Sequence, residues 1–258
     1  MAEYIEIAKS WNDLNNWQLQ EIAHLYLNTS VENFSEAYFQ MIILIYQKSN
    51  SNSDLYNWDK LRRNVPISEL GKYTAFIKDT ADFYSFPEIS GLIKPADAIG
   101  DISVRQFSTI DTYFYFWNKE RTTLNLKRLV ASLYRIKDEY DDLDIIAVDE
   151  ITRKIPLKQM EVIALAYLFT RNEISKTFPV IFPKQKKEPE EKKPQPIFTK
   201  KDDQFVPFDK IIIGMSMDEL QPLGKKQDVN KVRVYEFLSV LSESILYHRA
   251  KAKANERK

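Results

Sequence analysis

Apolar residues recur along most of this chain at i, i+3, i+4 and i+7, the spacing of one face of an α-helix. Leu19, Ile22, Ala23, Tyr26 and Leu27 form the first such stripe, with Asn15 or Asn16 placed to cap its start. Phe34, Ala37, Tyr38, Met41, Ile42 and Ile45 form the second, and Ile43 and Leu44 widen it, so the spacing predicts a helix buried on most sides. Asn33 and Glu36 stand at capping-box spacing before it. A polar run at 49–53 predicts a loop, and 54–63 a short helix. A helix from Ser68 with Leu70, Tyr73, Ile77, Ala81 and Tyr84 inward follows, ended by Pro87. The stretch to Gly100 reads as irregular, with room for a short strand over 89–93. Before all of these, Tyr4 to Ile7 alternates in the manner of a short strand or an extended arm.

Ser103 and Gln106 form an S-x-x-Q capping box that opens a helix through Phe107, Ile110, Tyr113, Phe114 and Trp117. Thr122 or Thr123 caps the next, whose inward stripe is Leu126, Leu129, Val130 and Leu133. The acidic stretch 137–150 predicts a loop. Pro156 suits the first turn of a helix that carries Met160, Ile163, Ala164, Tyr167 and Leu168 toward Lys176.

At Lys184 the pattern stops. KQKKEPEEKKPQP holds no apolar residue and three prolines, so 184–203 is expected to be a flexible linker. Apolar residues resume over 205–215, and Ser216 is placed to cap a short helix over 217–220. A last helix is expected from about Asp228 to about Ala252, with Val234, Phe237, Leu238, Leu241 and Ile245 on one face. The expected fold is all-α: a multi-helix core over 1–183, the linker 184–203, and a C-terminal helical segment with a basic tail over 204–258. No period of about 20–50 residues is visible, which disfavours a helical solenoid.

Composition agrees with helices: five glycines are few for a fold built on tight turns, and fifteen Phe, fourteen Tyr and four Trp supply large apolar surfaces for a core. Lys plus Arg equals Asp plus Glu, 37 of each, without the basic surplus usual in duplex-DNA binders, so nucleic acid is not an expected partner. The start, MAEYIEIAKSW, lacks the basic and apolar regions of a secretion signal, and the longest apolar run, Val162 to Phe169, is too short to cross a bilayer. A cytoplasmic protein without membrane contact is expected.

Motifs for chemistry fail in turn. With no cysteine there is no disulfide, thiolate nucleophile or Cys-ligated zinc. Glycines at 71, 91, 100, 214 and 224 are too dispersed for G-x-G-x-x-G or a phosphate-binding loop. Gly214 to Asp218 departs from G-x-S-x-G at its last position. His24 and His248 suit surface or helix-terminal roles better than catalysis. Asp138, Glu139, Asp141, Asp142 and Asp144 invite a calcium reading, but Leu143 holds the place where an EF-hand loop needs glycine, which favours a solvated loop. No enzyme, cofactor or metal is expected.

Tyr113 to Trp117 is five consecutive aromatic residues, which on a helix point around its whole circumference. Two readings remain open: a central helix packed on all sides, or an exposed aromatic face that binds a partner. Tyr115 and Phe116, off the main stripe, are the candidates for the second reading, with Val234, Phe237, Leu238 and Leu241 of the last helix as a further candidate surface. The expected partners are other protein chains, including a second copy of this one.

Three blocks carry a resemblance. They are IEIAKSWNDLNNWQL (Ile5 to Leu19), NLKRLVASLYR (Asn125 to Arg135), and FDKIIIGMS (Phe208 to Ser216) followed by VRVYEFLSVLS (Val232 to Ser242). In this order they resemble small helical proteins of tailed phages and prophages of Bacteroidota, encoded near tail genes, which look like tail assembly chaperones or tail-morphogenesis factors. The resemblance implies a non-enzymatic protein that shields an extended tail protein during assembly. A structural virion component (a tail or connector protein) and a host-directed regulator or inhibitor are the alternatives.

Overall fold

The computed structural model of the chain describes residues 7–183, 207–218 and 221–255; the arm at Tyr4 and the linker 184–203 lie outside them. Among the described residues there are twelve α-helices and no strand, so the fold is all-α. The first five are α1 (Asn16–Asn28), α2 (Phe34–Gln47), α3 (Asn52–Asn64), α4 (Ile67–Leu70) and α5 (Phe76–Asp79). Then come α6 (Val104–Glu120), α7 (Thr123–Leu133), α8 (Ile145–Thr152) and α9 (Leu157–Thr177). The last are α10 (Phe208–Met217), α11 (Lys226–Lys231) and α12 (Val234–Asn255).

Packing divides the described residues into two units. One takes in 7–83 and 156–165, the other 84–155, 166–183, 207–218 and 221–255. This differs from the expected core over 1–183 with a separate C-terminal segment. The physical reason is aromatic: Phe208 of α10 packs edge-on against Phe107 of α6 and Phe237 of α12, with centroids 5.0 and 5.7 Å apart. The C-terminal helices therefore complete the second unit.

Each unit is built on the same helical hairpin. Asn15 caps α1 by accepting from Gln18 N at 2.9 Å, and Gln18 Nε2 crosses to α2, donating to Leu44 O (3.2 Å) and Ile45 O (2.9 Å). Ser103 caps α6 by accepting from Gln106 N, and Gln106 Nε2 crosses to α7, donating to Ser132 O (2.9 Å) and Leu133 O (3.2 Å). Both glutamines are buried and reach carbonyls 26 and 27 residues ahead. Those carbonyls belong to a final helical turn, where backbone donors run short, and of the four only Leu44 O also accepts a backbone bond, from Lys48 N at 3.3 Å. Corresponding residue numbers differ by 88 throughout (15 and 103, 18 and 106, 44 and 132). The buried residues follow the same frame: Ile22 with Ile110, Tyr26 with Phe114, Met41 with Leu129, Ile42 with Val130, and Ile45 with Leu133. Tyr46 and Tyr134 end the frame, each donating its hydroxyl to a backbone carbonyl, Leu70 O and Pro87 O. Asn64 and Thr152, where α3 and α8 stop, keep the same offset.

Other expectations need correction. The Asn33 side chain makes no capping bond. The helix expected from Ser68 to Tyr84 breaks into α4, a 3-10 turn at Gly71–Tyr73 and α5, and Tyr73 is exposed. Glycine and a β-branched Thr74 disfavour a continuous helix there, and the Thr74 hydroxyl bonds back to Gly71 O at 3.3 Å. Over 89–93 only one isolated bridge forms, between Ile93 and Arg135. The stretch 137–150 is not all loop: a 3-10 turn (Asp142–Asp144) runs straight into α8. Ser216 lies inside α10 and donates to Ile213 O. The last helix starts at Val234, with α11 separate before it.

Candidate functional site

The second unit contains a polar cavity of about 600 Å³. Two isolated antiparallel bridges shape it. Ile93 and Arg135 exchange N–H···O bonds of 2.7 and 3.1 Å; Val104 N donates to Val232 O at 2.8 Å and Val234 N to Ile102 O at 2.9 Å. These short extended contacts bring Arg135, Ser103 and Arg233, far apart in sequence, to one wall. The segment before α6 is strained: Ala98 and Ile99 sit at φ 52° and 57°. Ile99 is fully buried, and the Tyr235 hydroxyl donates to Ala98 O at 2.9 Å, which holds that conformation in place.

Five cationic side chains (Arg105, Arg135, Lys137, Lys231, Arg233) and five acidic ones (Asp101, Asp138, Glu139, Asp141, Asp142) line the cavity. Most are matched. Arg105 bonds Asp142 through Nε at 2.9 Å and Asp209 through Nη1 at 3.1 Å. The bond to Asp142 holds the Arg105 guanidinium above its ordinary pKa. Arg135 pairs with Asp101 and donates to Asp138 O. Lys137 lies 2.9 Å from Asp144 and 3.6 Å from Asp141, and the bond to Asp144 raises its pKa. Lys231 and Glu139, both solvated, are 3.5 Å apart. Arg233 has no ion-pair partner among the described residues. A wall of matched charges offers hydrogen bonds with little net field, which suits a polar chain better than a single strong anion.

The acidic stretch read as a calcium candidate thus engages arginine and lysine. Among the described residues no group of three or more His, Cys, Asp or Glu side chains is placed to hold a metal ion. His24 Nδ1 lies 2.8 Å from Glu161 Oε2, and Asn28 Nδ2 donates to Glu161 Oε1 at 2.8 Å, so this half-exposed histidine covers a buried carboxylate. His248 Nε2 lies 2.9 Å from Asp218 Oδ2. Among the described residues no helix is long and apolar enough to cross a membrane.

The partner-binding candidates separate. Val234, Phe237 and Leu238 are fully buried and Leu241 nearly so. That stripe is core of the second unit, and its candidacy as a docking surface is corrected: Phe237 is spent on Phe208. On α6, Phe114 and Trp117 are buried, with Phe114 edge-on to Tyr167 at 5.1 Å. Tyr115 is half-buried and Phe116 is 40% exposed, the two rings 5.6 Å apart.

Sequence reading missed a second apolar surface. Leu143 is 81% and Ile146 71% exposed, three residues apart where the 3-10 turn enters α8, and so on one face. In the first unit α3 carries exposed Leu55 and Tyr56. Leu55 and Leu143 occupy the same place in the repeated frame, their numbers again differing by 88. The signal that could have found this edge was apolar residues inside an acidic stretch. No protein family model, curated protein or solved structure matches the chain.

Proposed function

We propose that this chain is a non-enzymatic protein-binding factor that shields apolar segments of an extended partner, chaperone-like, during assembly of a phage tail. One observation carries the binding reading: exposed apolar side chains stand at the same distance along the chain beyond a helical hairpin built twice, Leu55 on α3 after one copy and Leu143 in the 3-10 turn before α8 after the other. A single exposed leucine needs no explanation, but recurrence at equivalent places does. Tyr56 beside the first and Ile146 beside the second enlarge each edge. Burying such surface against a partner gains about 25 cal/mol per Å². The tail-assembly setting rests on the three sequence blocks and their resemblance to tail chaperones, and it places the protein in the host cytoplasm.

The test is suppression of aggregation. The parent should reduce light scattering from a thermally unfolded model protein in proportion to its concentration. Leu55→Asp with Tyr56→Asp, or Leu143→Asp with Ile146→Asp, should each weaken this, and all four together should abolish it while circular dichroism stays helical. A parent without effect overturns the reading. Finished particles of the encoding phage should lack the protein; its presence there favours a structural component instead.

A further inference from the structure

We infer that the polar cavity of the second unit binds a small zwitterion, a molecule that carries both a carboxylate and an ammonium group, as a free α-amino acid or a short peptide does. Its volume of about 600 Å³ lies within the roughly 300–1,000 Å³ of small-molecule sites. Most of its lining charges are spent on one another, but two of opposite sign are not. Arg233 and Asp138 both line the cavity and are exposed, and neither side chain has a hydrogen-bond or ion-pair partner among the described residues. The two isolated bridges hold them in place. Arg233 stands between Val232, whose carbonyl accepts from Val104 N, and Val234, whose N–H donates to Ile102 O. Asp138 accepts through its backbone carbonyl from Arg135 Nη1 at 3.1 Å, and Arg135 is itself bridged to Ile93. The guanidinium presents paired donors to a carboxylate, and the free carboxylate accepts from an ammonium.

The repeated hairpin shows that the turn itself does not require these charges. In the second copy Arg135, Lys137, Asp138, Glu139 and Asp141 line the cavity. Their counterparts in the first copy are Gln47, Ser49, Asn50, Ser51 and Ser53, none of them charged. There a neutral amide closes the turn, Gln47 Nε2 donating to Ser49 O at 3.1 Å and to Asn50 Oδ1 at 3.2 Å. The charged wall also leaves polar atoms unpaired. Arg135 Nε and Asn230 Oδ1, a donor and an acceptor on lining residues, are buried without hydrogen-bond partners among the described residues. Buried polar groups are nearly always paired, and those left unpaired lower stability; here they gather at the wall that carries the free charges. Such a wall is arranged for binding rather than for stability. A simple anion drawn to Arg233 meets the repulsion of Asp138, and a simple cation the reverse. A ligand with both charges avoids either penalty.

The experiment is isothermal titration calorimetry of the full chain at low salt, with each standard amino acid and, separately, with the dipeptides Gly-Gly and Leu-Leu. At least one probe should bind one to one, and whichever class binds more tightly, amino acid or dipeptide, identifies the source. For the tightest probe, the N-acetyl form lacks the ammonium and the C-terminal amide lacks the carboxylate. Each should bind about ten-fold more weakly or worse. Arg233→Gln should weaken the probe by a similar factor and leave binding of its amide unchanged. Asp138→Asn should weaken the probe likewise and leave binding of its N-acetyl form unchanged, the coupling that direct contact requires. Both residues are exposed and unpaired among the described residues, so the urea midpoint of each variant should match the parent. No binding by any amino acid or dipeptide overturns the proposal. So does an N-acetyl form that binds as tightly as the free probe, which would make the cavity an anion site, and so do variants that bind as the parent does. The chaperone reading fails separately, because both variants keep the edges at Leu55 and Leu143 and should still suppress scattering.

Discussion

Arg171 donates through Nε to Asp111 Oδ1 at 2.6 Å inside the second unit, where the corresponding residue of the first hairpin is the buried Ala23. The guanidinium also donates to Ser175 Oγ at 2.7 Å and lies 4.2 Å from the centre of the Phe182 ring. One copy of the hairpin thus packs an apolar methyl where the other packs an ion pair. Losing one partner of such a pair costs more than losing both, because a charge is left without compensation. Asp111→Ala should therefore destabilise by about 3–5 kcal/mol. Asp111→Ala combined with Arg171→Met should recover most of that loss in urea denaturation. A double variant as unstable as the single would show that packing, not the uncompensated charge, sets the cost.

The two crossing glutamines predict matched effects. Gln18→Leu and Gln106→Leu each remove the side-chain donor from two helix-end carbonyls, of which Leu44 O keeps a bond from Lys48 N, at a cost of about 1–3 kcal/mol per group left unsatisfied. Both variants should lower the denaturation midpoint to a similar extent, although they sit in different units. Glutamate at either position, which cannot donate in its charged form, should be worse than leucine. A large loss at one site and none at the other would show that the hairpins are alike in outline only.

Helix positions and their inward stripes were legible in the sequence because burial selects every third or fourth residue whatever the tertiary arrangement. Leu129 and Leu133 are fully buried as the stripe required, and Asn15, Ser103 and Thr122 cap the helices they precede. The duplication was not legible. Its period far exceeds those of solenoid repeats, and most paired positions keep character rather than identity, such as Tyr26 with Phe114 or Met41 with Leu129. Gln106 was read as half of a capping box, yet its amide serves a helix 26 residues away. The stripe from Val234 to Leu241 was ambiguous for a similar reason: an apolar helix face looks the same whether it meets its own chain or another. The cavity was invisible because the two bridges that build it are single contacts between distant residues.

Buried tyrosines should make the protein sensitive to alkali. Burial pushes the Tyr46 hydroxyl up to about 12 and raises Tyr134, Tyr140 and Tyr167 as well. In the unfolded chain tyrosine titrates near 10. The folded state thus holds its protons more tightly, so this stability is fully present below about pH 10 and is lost as pH rises from there toward the folded values. Each tyrosine kept neutral by folding costs about 1.4 kcal/mol for every pH unit above its unfolded value. Urea midpoints should be flat between pH 8 and 9.5 and fall steeply beyond. Absorbance near 295 nm should show these tyrosines ionising only as the protein unfolds. In Tyr46→Phe the fall should be shallower, though the midpoint at neutral pH drops with the lost bond to Leu70 O. Smooth ionisation of every tyrosine in the folded protein would contradict the assigned burial.

The aromatic run of α6 gives a prediction with opposite outcomes on adjacent residues. Phe114 is buried against Tyr167 and Trp117, whereas Phe116 is 40% exposed beside the half-buried Tyr115. Burial and exposure therefore fall to different members of the run. Phe114→Ala opens a cavity among large rings and should cost about 3–5 kcal/mol. Phe116→Ser removes a ring with much of its surface already in water and should change stability by about 0.5 kcal/mol or less. Leu124, 57% exposed, opens α7 just past the turn that joins it to α6. If this corner contributes to partner binding, Tyr115→Ser with Phe116→Ser should leave the helical circular dichroism intact and reduce suppression of aggregation. Unchanged suppression would confine binding to the edges at Leu55 and Leu143. Unfolding of the double variant would assign Tyr115 to the core, since the exposed area of Phe116 cannot supply that much stability.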